Sequence, residues 1–240
     1  TAPVYPVGAF IQGMAESLGG YAILHKAFPK VRIGFGVNAY HFDMHYGNIV
    51  IGSPEQTLMD LFSTSLNMFY GGGIHGHRSF RTMAKKVDAQ AQVEKASSAT
   101  VGVLTGAGVF DMGGKLSIDE VFSPVQLVID CETARYLTRL AKGLEFPEDQ
   151  ITSSLQAMDR CAPKGHYLSD ETTRRDHKNI YWAPSLFDDS LFHTSKGDVD
   201  IMERAKEVCR RKLAEREYRL EDEKRQKLDE IYREASRNLS

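Results

Sequence analysis

Thr100-Val101-Gly102-Val103-Leu104-Thr105-Gly106-Ala107 is a short apolar run that closes on Gly106-Ala107, and its reading decides the fold. A run of this kind bounded by turn residues predicts a buried strand. Immediately before it, Val87 to Ala99 is compatible with a helix. After it, Ser123 and Pro124 place a capping serine and a first-turn proline at the start of another helix, which runs to about Lys142.

The same alternation extends outward. Ser53-Pro54-Glu55-Gln56 carries a cap, a first-turn proline and a glutamine three residues after the cap. Leu58, Leu61, Phe62, Ser65, Leu66 and Phe69 then form one stripe, which predicts a helix to about Tyr70. Val31 to Val37, V-R-I-G-F-G-V, reads as a strand, and Gly71 to His77, G-G-G-I-H-G-H, as a strand or a turn-rich loop. Near the start, Phe10, Met14, Leu18, Tyr21 and Ala22 recur at helical spacing between Val7 and Ala27, and Pro29 ends the run. Strand, helix, strand, helix in close succession predicts an α/β fold of parallel β/α units. No internal repeat is visible.

At 240 residues the chain has room for one large domain or two small ones. A net charge of -2 gives no reason to expect nucleic acid or an anionic membrane as a partner. Cys131, Cys161 and Cys209 have no metal-ligand spacing, which points to a reducing compartment. No run approaches the roughly 18 apolar residues of a membrane span, and the start lacks the regions of a signal peptide. A soluble, cytoplasmic protein is expected. The first residue is Thr1, so the chain is expected to be processed or part of something longer.

From about Asp198 the composition changes. Ile201, Ala205, Val208, Leu213, Leu220, Leu228 and Ile231 punctuate alternating acids and bases, which predicts a largely solvated helix or one that pairs with a partner helix. Roughly 38 helical residues would extend about 57 Å, too far to fold back wholly over one core. The division expected is therefore residues 1–197 and 198–240.

Candidate chemistry concentrates in two stretches. In H-F-D-M-H, an extended backbone would aim His41, Asp43 and His45 the same way. In I-H-G-H-R, His75 and His77 alternate likewise, followed by Lys85, Lys86, Asp88, Gln90 and Glu94. If both stretches end neighbouring parallel strands, they converge on one mouth. Imidazole with carboxylate suits zinc or iron, although this spacing is not a recognised ligand pattern. Gly106 to Gly114 reads as a strand-end turn, since it matches neither common phosphate-binding loop, and no G-x-S-x-G, H-E-x-x-H or C-x-x-C occurs. Tyr181, Trp182 and Phe187 read as anchors of a loop on the core.

Seven segments, in order, carry a resemblance over about nine-tenths of the chain: P-V-G-A-F-I-Q-G-M-A-E-S-L-G-G, G-S-P-E-Q, K-V-D-A-Q-A-Q-V-E-K, L-T-G-A-G, S-P-V-Q-L-V-I-D, G-H-Y-L and P-S-L-F-D-D. With them the chain resembles the C-terminal half of the trimethylamine methyltransferase family. The resemblance implies a (β/α)8 barrel, of which this chain supplies roughly half, the rest coming from a companion chain. It implies an amine held in the barrel mouth and a methyl group passed to the corrinoid of a partner protein, within an oligomer. Tyr40, His41, Asp43 and His45 would then line a cation pocket rather than bind metal.

The departures narrow this. Where the family's pyrrolysine branch has that residue before T-D-A-K, this chain has S-F-R-T-M-A-K, with Ser79, Phe80 and Arg81 at that place and Met83 where aspartate is usual. The branch implied is the one acting on quaternary amines such as glycine betaine, with Arg81 meeting a substrate carboxylate. Asp189 stands where the family has arginine. Asp43-Met44-His45-Tyr46-Gly47 falls one residue short of the corrinoid signature D-x-H-x-x-G, so no corrinoid is placed in this chain. Asp43, His77 and Asp88 are the catalytic candidates; Tyr40, His41, His75, Arg81 and Gln90 are the substrate-binding ones. Two other functions stay open: a non-catalytic subunit acting in assembly, and a metal-dependent barrel enzyme using His41, Asp43 and His45.

Overall fold

The computed structural model describes residues 2–34, 36–71, 80–162, 165–194, 200–216 and 219–239. In chain order it contains α1 (Pro6–Ala27), β1 (Phe42–Asp43), β2 (Asn48–Ile49), α2 (Pro54–Phe69), α3 (Ala89–Leu104), β3 (Lys115–Leu116), β4 (Val121–Phe122), α4 (Pro124–Ala141), α5 (Glu148–Cys161), α6 (Glu171–Ile180), α7 (Ile201–Ala214) and α8 (Asp222–Leu239).

Helix starts follow local chemistry. Ser53 and Ser123 accept the backbone N–H of Gln56 and Gln126, and Asp88 accepts that of Ala91. Each such cap stabilises its helix by about 1 kcal/mol. The expected helices at the start, after Ser53 and after Ser123 are all present.

The strands differ from expectation. Both sheets are antiparallel two-residue hairpins, pairing Phe42 with Ile49 and Asp43 with Asn48, then Lys115 with Phe122 and Leu116 with Val121. No parallel pairing occurs among the described residues. Thr100 to Leu104 is the end of α3, not a buried strand. The reason is spacing: Ala91, Lys95, Ser98, Ala99 and Gly102 bury one helical face, and small residues on it allow α3 to pack between α2 and α4. Gly106 to Gly114 is accordingly a turn after a helix, not after a strand.

The run from Val31 to Val37 makes no strand among its described residues. Val37 and Ala39 are buried while Asn38 is exposed, so the alternation of an extended chain is there. From Gly36 onward its hydrogen bonds go to helix side chains instead of a neighbouring strand, beginning with Ser17 of α1, which donates to the Gly36 carbonyl at 3.1 Å. Asn67 accepts the Val37 N–H at 3.1 Å, Gln56 Oε1 accepts the His41 N–H at 2.8 Å, and Gln56 Nε2 donates to the Ala39 carbonyl at 3.1 Å.

Contrary to the expectation of no internal repeat, a short one is present. Ser53-Pro54-Glu55-Gln56 with Asp60 matches Ser123-Pro124-Val125-Gln126 with Asp130, in the form S-P-x-Q-x-x-x-D. The wiring repeats with it. Gln56 Nε2 donates to Asp60 at 2.9 Å, and Gln126 Nε2 donates to Asp130 at 2.7 Å.

Packing runs through α2, α3, α4 and α7 in a row. The apolar interior is divided into small clusters, one around Phe10, Val37, Ala39 and Met59, another around Ile129, Leu186 and Ala205. The accessible surface is 17985 Å², against about 11,000 Å² for a compact monomer of this length. Much apolar surface therefore stays uncovered. The single long helix read over residues 198–240 is interrupted, since α7 ends at Ala214 and α8 begins at Asp222. The architecture is mostly helical with few short strands. No helix among the described residues is long and apolar enough to cross a membrane.

Candidate functional site

The extended segment after α1 and the segment that begins at Phe80 meet over the first turns of α2. Arg81 Nη1 lies 3.0 Å from Asp60 Oδ2, and both side chains are almost wholly buried. The same guanidinium sits over the Tyr40 ring, 5.8 Å from its centroid. Gln56 joins Asp60 to the His41 backbone, so Tyr40, His41, Gln56, Asp60 and Arg81 form one connected set. His41 Nδ1 also lies 2.9 Å from the Ser53 hydroxyl. Burial of a lone guanidinium would be costly; here the carboxylate and the ring face compensate it.

The second repeat unit carries the same sequence of partners. Lys95 Nζ lies 2.8 Å from Asp130 Oδ2 and 5.9 Å from the centroid of the Phe80 ring. Asp130 also accepts the Gly114 N–H at 2.7 Å. Burial pulls the Lys95 ammonium below the usual lysine range, and the Asp130 carboxylate opposes that shift.

Asp43 has a different role in the backbone. Its Oδ1 accepts the N–H groups of His45 at 2.7 Å and Tyr46 at 2.9 Å, which ties the turn between β1 and β2. The Tyr46 and His45 bonds hold its carboxyl below the usual range. The chain turns after Asp43, so the alternation expected to carry on through His45 stops, and the His45 ring packs edge-on against Tyr46. Among the described residues no group of three or more His, Cys, Asp or Glu side chains is placed to hold a metal.

The remaining candidates are dispersed. Asp88 caps α3, and Gln90 is exposed, donating to Glu94 at 2.8 Å. His75 and His77 lie outside the described residues. The structure thus brings Tyr40, His41 and Arg81 together, and it does not bring Asp88 or Gln90 to them through any hydrogen bond or ion pair. Sequence reasoning missed Gln56 and Asp60. Their signal was the repeated S-P-x-Q-x-x-x-D, which places Gln and Asp one turn apart on the same buried face. Trp182 does anchor its loop, lying edge-on to Tyr136 of α4 and to Phe187.

The family described as trimethylamine methyltransferase (MTTB) matches residues 1–237. Glycine betaine methyltransferase of Desulfitobacterium hafniense (strain Y51) is 30% identical over 213 residues, covering 85% of this chain and 43% of the relative. Trimethylamine methyltransferase MttB of Methanosarcina barkeri (strain Fusaro / DSM 804) is 28% identical over 194 residues, 80% of this chain and 38% of the relative. L-carnitine:corrinoid methyltransferase of Eubacterium limosum is 26% identical over 216 residues, 87% of this chain and 43% of the relative. The chain therefore spans less than half the length of these relatives. With the match running from one end of the sequence almost to the other, the chain belongs to the trimethylamine methyltransferase family.

Proposed function

We propose that this chain is part of a methyltransferase that moves a methyl group from a quaternary or tertiary amine of the betaine type to a corrinoid on a separate protein. The observation that carries the reading is the family match over residues 1–237, with relatives named for glycine betaine, trimethylamine and carnitine. Residues 1–197 are assigned to roughly half of a (β/α)8 barrel and residues 198–240 to its charged helical end, with a companion polypeptide completing the barrel. The large accessible surface and the extended segment from Val37 to His41, which pairs with no strand among the described residues, support an absent neighbour.

The partner's corrinoid supplies a nucleophilic cobalt that accepts the methyl. As the C–N bond breaks, its electron pair stays with nitrogen, which leaves as a neutral amine without needing a proton. The protein's task is to hold a cation in line and dry. Tyr40 offers a ring face and Asp43 a carboxylate to the ammonium. Arg81 does not repel it as a lone cation would, because Asp60 compensates the guanidinium. Asp60 engages Nη1, and the other edge of the fork is assigned to the substrate carboxylate. His41, His75 and His77 orient the bound amine.

The test is reconstitution of the complete assembly with its corrinoid protein reduced to the cob(I)alamin state. The visible spectrum of cobalt is followed after adding glycine betaine, carnitine or trimethylamine. Conversion with a carboxylate-bearing quaternary amine is expected. No conversion with any methylated amine removes the reading. A second function, a non-catalytic assembly subunit, is favoured by α8, whose described side chains are all exposed. Under it, deleting residues 198–240 breaks the assembly and leaves amine binding unchanged.

A further inference from the structure

Four non-glycine residues among the described ones have left-handed backbone, and all four converge on one segment. They are Phe80 (φ 56°), Met112 (φ 63°), Ser117 (φ 47°) and Ile118 (φ 65°). For a bulky or β-branched side chain this conformation is strained. The Ser117 N–H donates to the Ala84 carbonyl at 2.8 Å, and the Ile118 N–H donates to the Thr82 carbonyl at 3.0 Å. The Met112 carbonyl accepts from Lys95 Nζ at 3.3 Å, and that ammonium lies over the Phe80 ring. Strain of this kind persists only where the surroundings over-determine it, and it gathers where a ligand must be held.

Helices α3 and α4 hold the segment as well. The Phe80 ring stacks on Phe110, 5.4 Å between centroids, and packs with Ala99 of α3 and Leu137 of α4. Glu94 of α3 accepts the Thr82 hydroxyl and the Met83 N–H. Phe80, Arg81, Thr82 and Ala84 are all buried. What this fixed segment delivers is Arg81. Phe80 enters the cluster between α3 and α4, while the next side chain crosses to Asp60 of α2 and the Tyr40 ring. A left-handed residue bends the chain at that step, so the seating of the Phe80 ring sets the direction in which Arg81 leaves the backbone.

We propose that Phe80 is a positioning residue: through the strained bend it aims the Arg81 guanidinium, and it thereby makes the site selective for amines that carry a carboxylate. This rests on the reading that Arg81 meets the substrate carboxylate. Asp60 takes one nitrogen of the fork, and the bend directs the other edge.

Isothermal titration calorimetry on the complete assembly tests it, with glycine betaine and with tetramethylammonium, which lacks the carboxylate. The wild type should bind the betaine more tightly. Phe80→Leu keeps most of the apolar volume and loses the ring face. It should weaken the betaine about tenfold, near the loss of one charge-assisted hydrogen bond, and tetramethylammonium by less than about twofold. Phe80→Gly, which also relaxes the backbone, should show the same split. A residue that only supports the fold would weaken both ligands alike. In a background of Asp60→Leu with Arg81→Met, Phe80→Leu should change neither affinity, because nothing is left to position. Equal weakening of both ligands, an unchanged betaine affinity, an effect that persists in that background, or a wild type with no preference for the carboxylate would overturn the proposal. Betaine binding without transfer of methyl to cobalt removes the methyl-transfer reading instead, and the ratio of affinities still decides the role of Phe80.

Discussion

Asp60 and Arg81, 21 residues apart in the chain, form a buried ion pair at 3.0 Å that ties α2 to the segment after it. Removing one partner leaves the other charge without compensation. Asp60→Asn is therefore expected to cost about 3–5 kcal/mol. Replacing both, as Asp60→Leu with Arg81→Met, should recover most of that loss, and urea unfolding of the two variants side by side measures the difference.

Gly52 stands where a side chain does not fit. A Cβ there would lie 2.3 Å from Glu94 Oε2, and that oxygen is held by the Thr82 hydroxyl at 2.6 Å and the Met83 N–H at 2.7 Å. Gly52→Ala should cost roughly 1–3 kcal/mol as overpacking. In a Glu94→Ala background the added penalty should vanish, which thermal unfolding of the four-member cycle will show.

Glu132 of α4 holds the loop that carries Ser185 and Leu186. Its carboxylate accepts the Ser185 N–H at 2.6 Å, the Leu186 N–H at 2.8 Å and the Ser185 hydroxyl at 2.8 Å, with Arg135 alongside. Burial pushes this carboxyl up, but the Leu186 and Ser185 bonds outweigh it and hold it low. Glu132→Ala is expected to release the loop, so limited proteolysis should cut between residues 182 and 194 about tenfold faster than in the wild type, a change of roughly 1.4 kcal/mol in local opening.

Asp170 sets an acid limit on the join between α5 and α6. Burial pushes its carboxyl up, yet bonds from Thr172, Cys161 and Arg160 bring it down to about 2. Because the folded value lies below the unfolded one of 3.8, the stabilisation is complete above the unfolded value and fades as pH falls towards about 2. Asp170→Asn should flatten that acid limb of the stability profile, measured by denaturant midpoint against pH.

Asp43→Asn separates charge from turn geometry. Asparagine keeps an oxygen for the His45 and Tyr46 N–H groups, so the turn between β1 and β2 should persist. If Asp43 faces the ammonium, KM for a quaternary amine should rise about fivefold with folding unchanged, as loss of an exposed charge contact implies. An unchanged KM would restrict Asp43 to the turn.

Much of the helical framework was legible because helix starts are local. Ser53-Pro54 and Ser123-Pro124 announce their helices within four residues, and the apolar spacing after them does the rest. Thr100 to Ala107 misled for the opposite reason. Its valines favour a strand, but Ala91, Ser98 and Ala99 upstream bury one helical face that extends to Gly102, and packing between two helices outweighs local propensity.

The candidate site was half legible. Tyr40, His41, Asp43 and Arg81 stand out as residue types, while Gln56 and Asp60 read as ordinary positions of an amphipathic helix. Sequence alone determined where α2 and α4 start, the family resemblance and the identity of the charged groups, since these are written in the order of the residues themselves. Only tertiary structure decided that Asp60 meets Arg81, that Asp130 meets Lys95, and that Asp43 serves a turn, because burial pairs charges by distance in space and the chain between them carries no record of it.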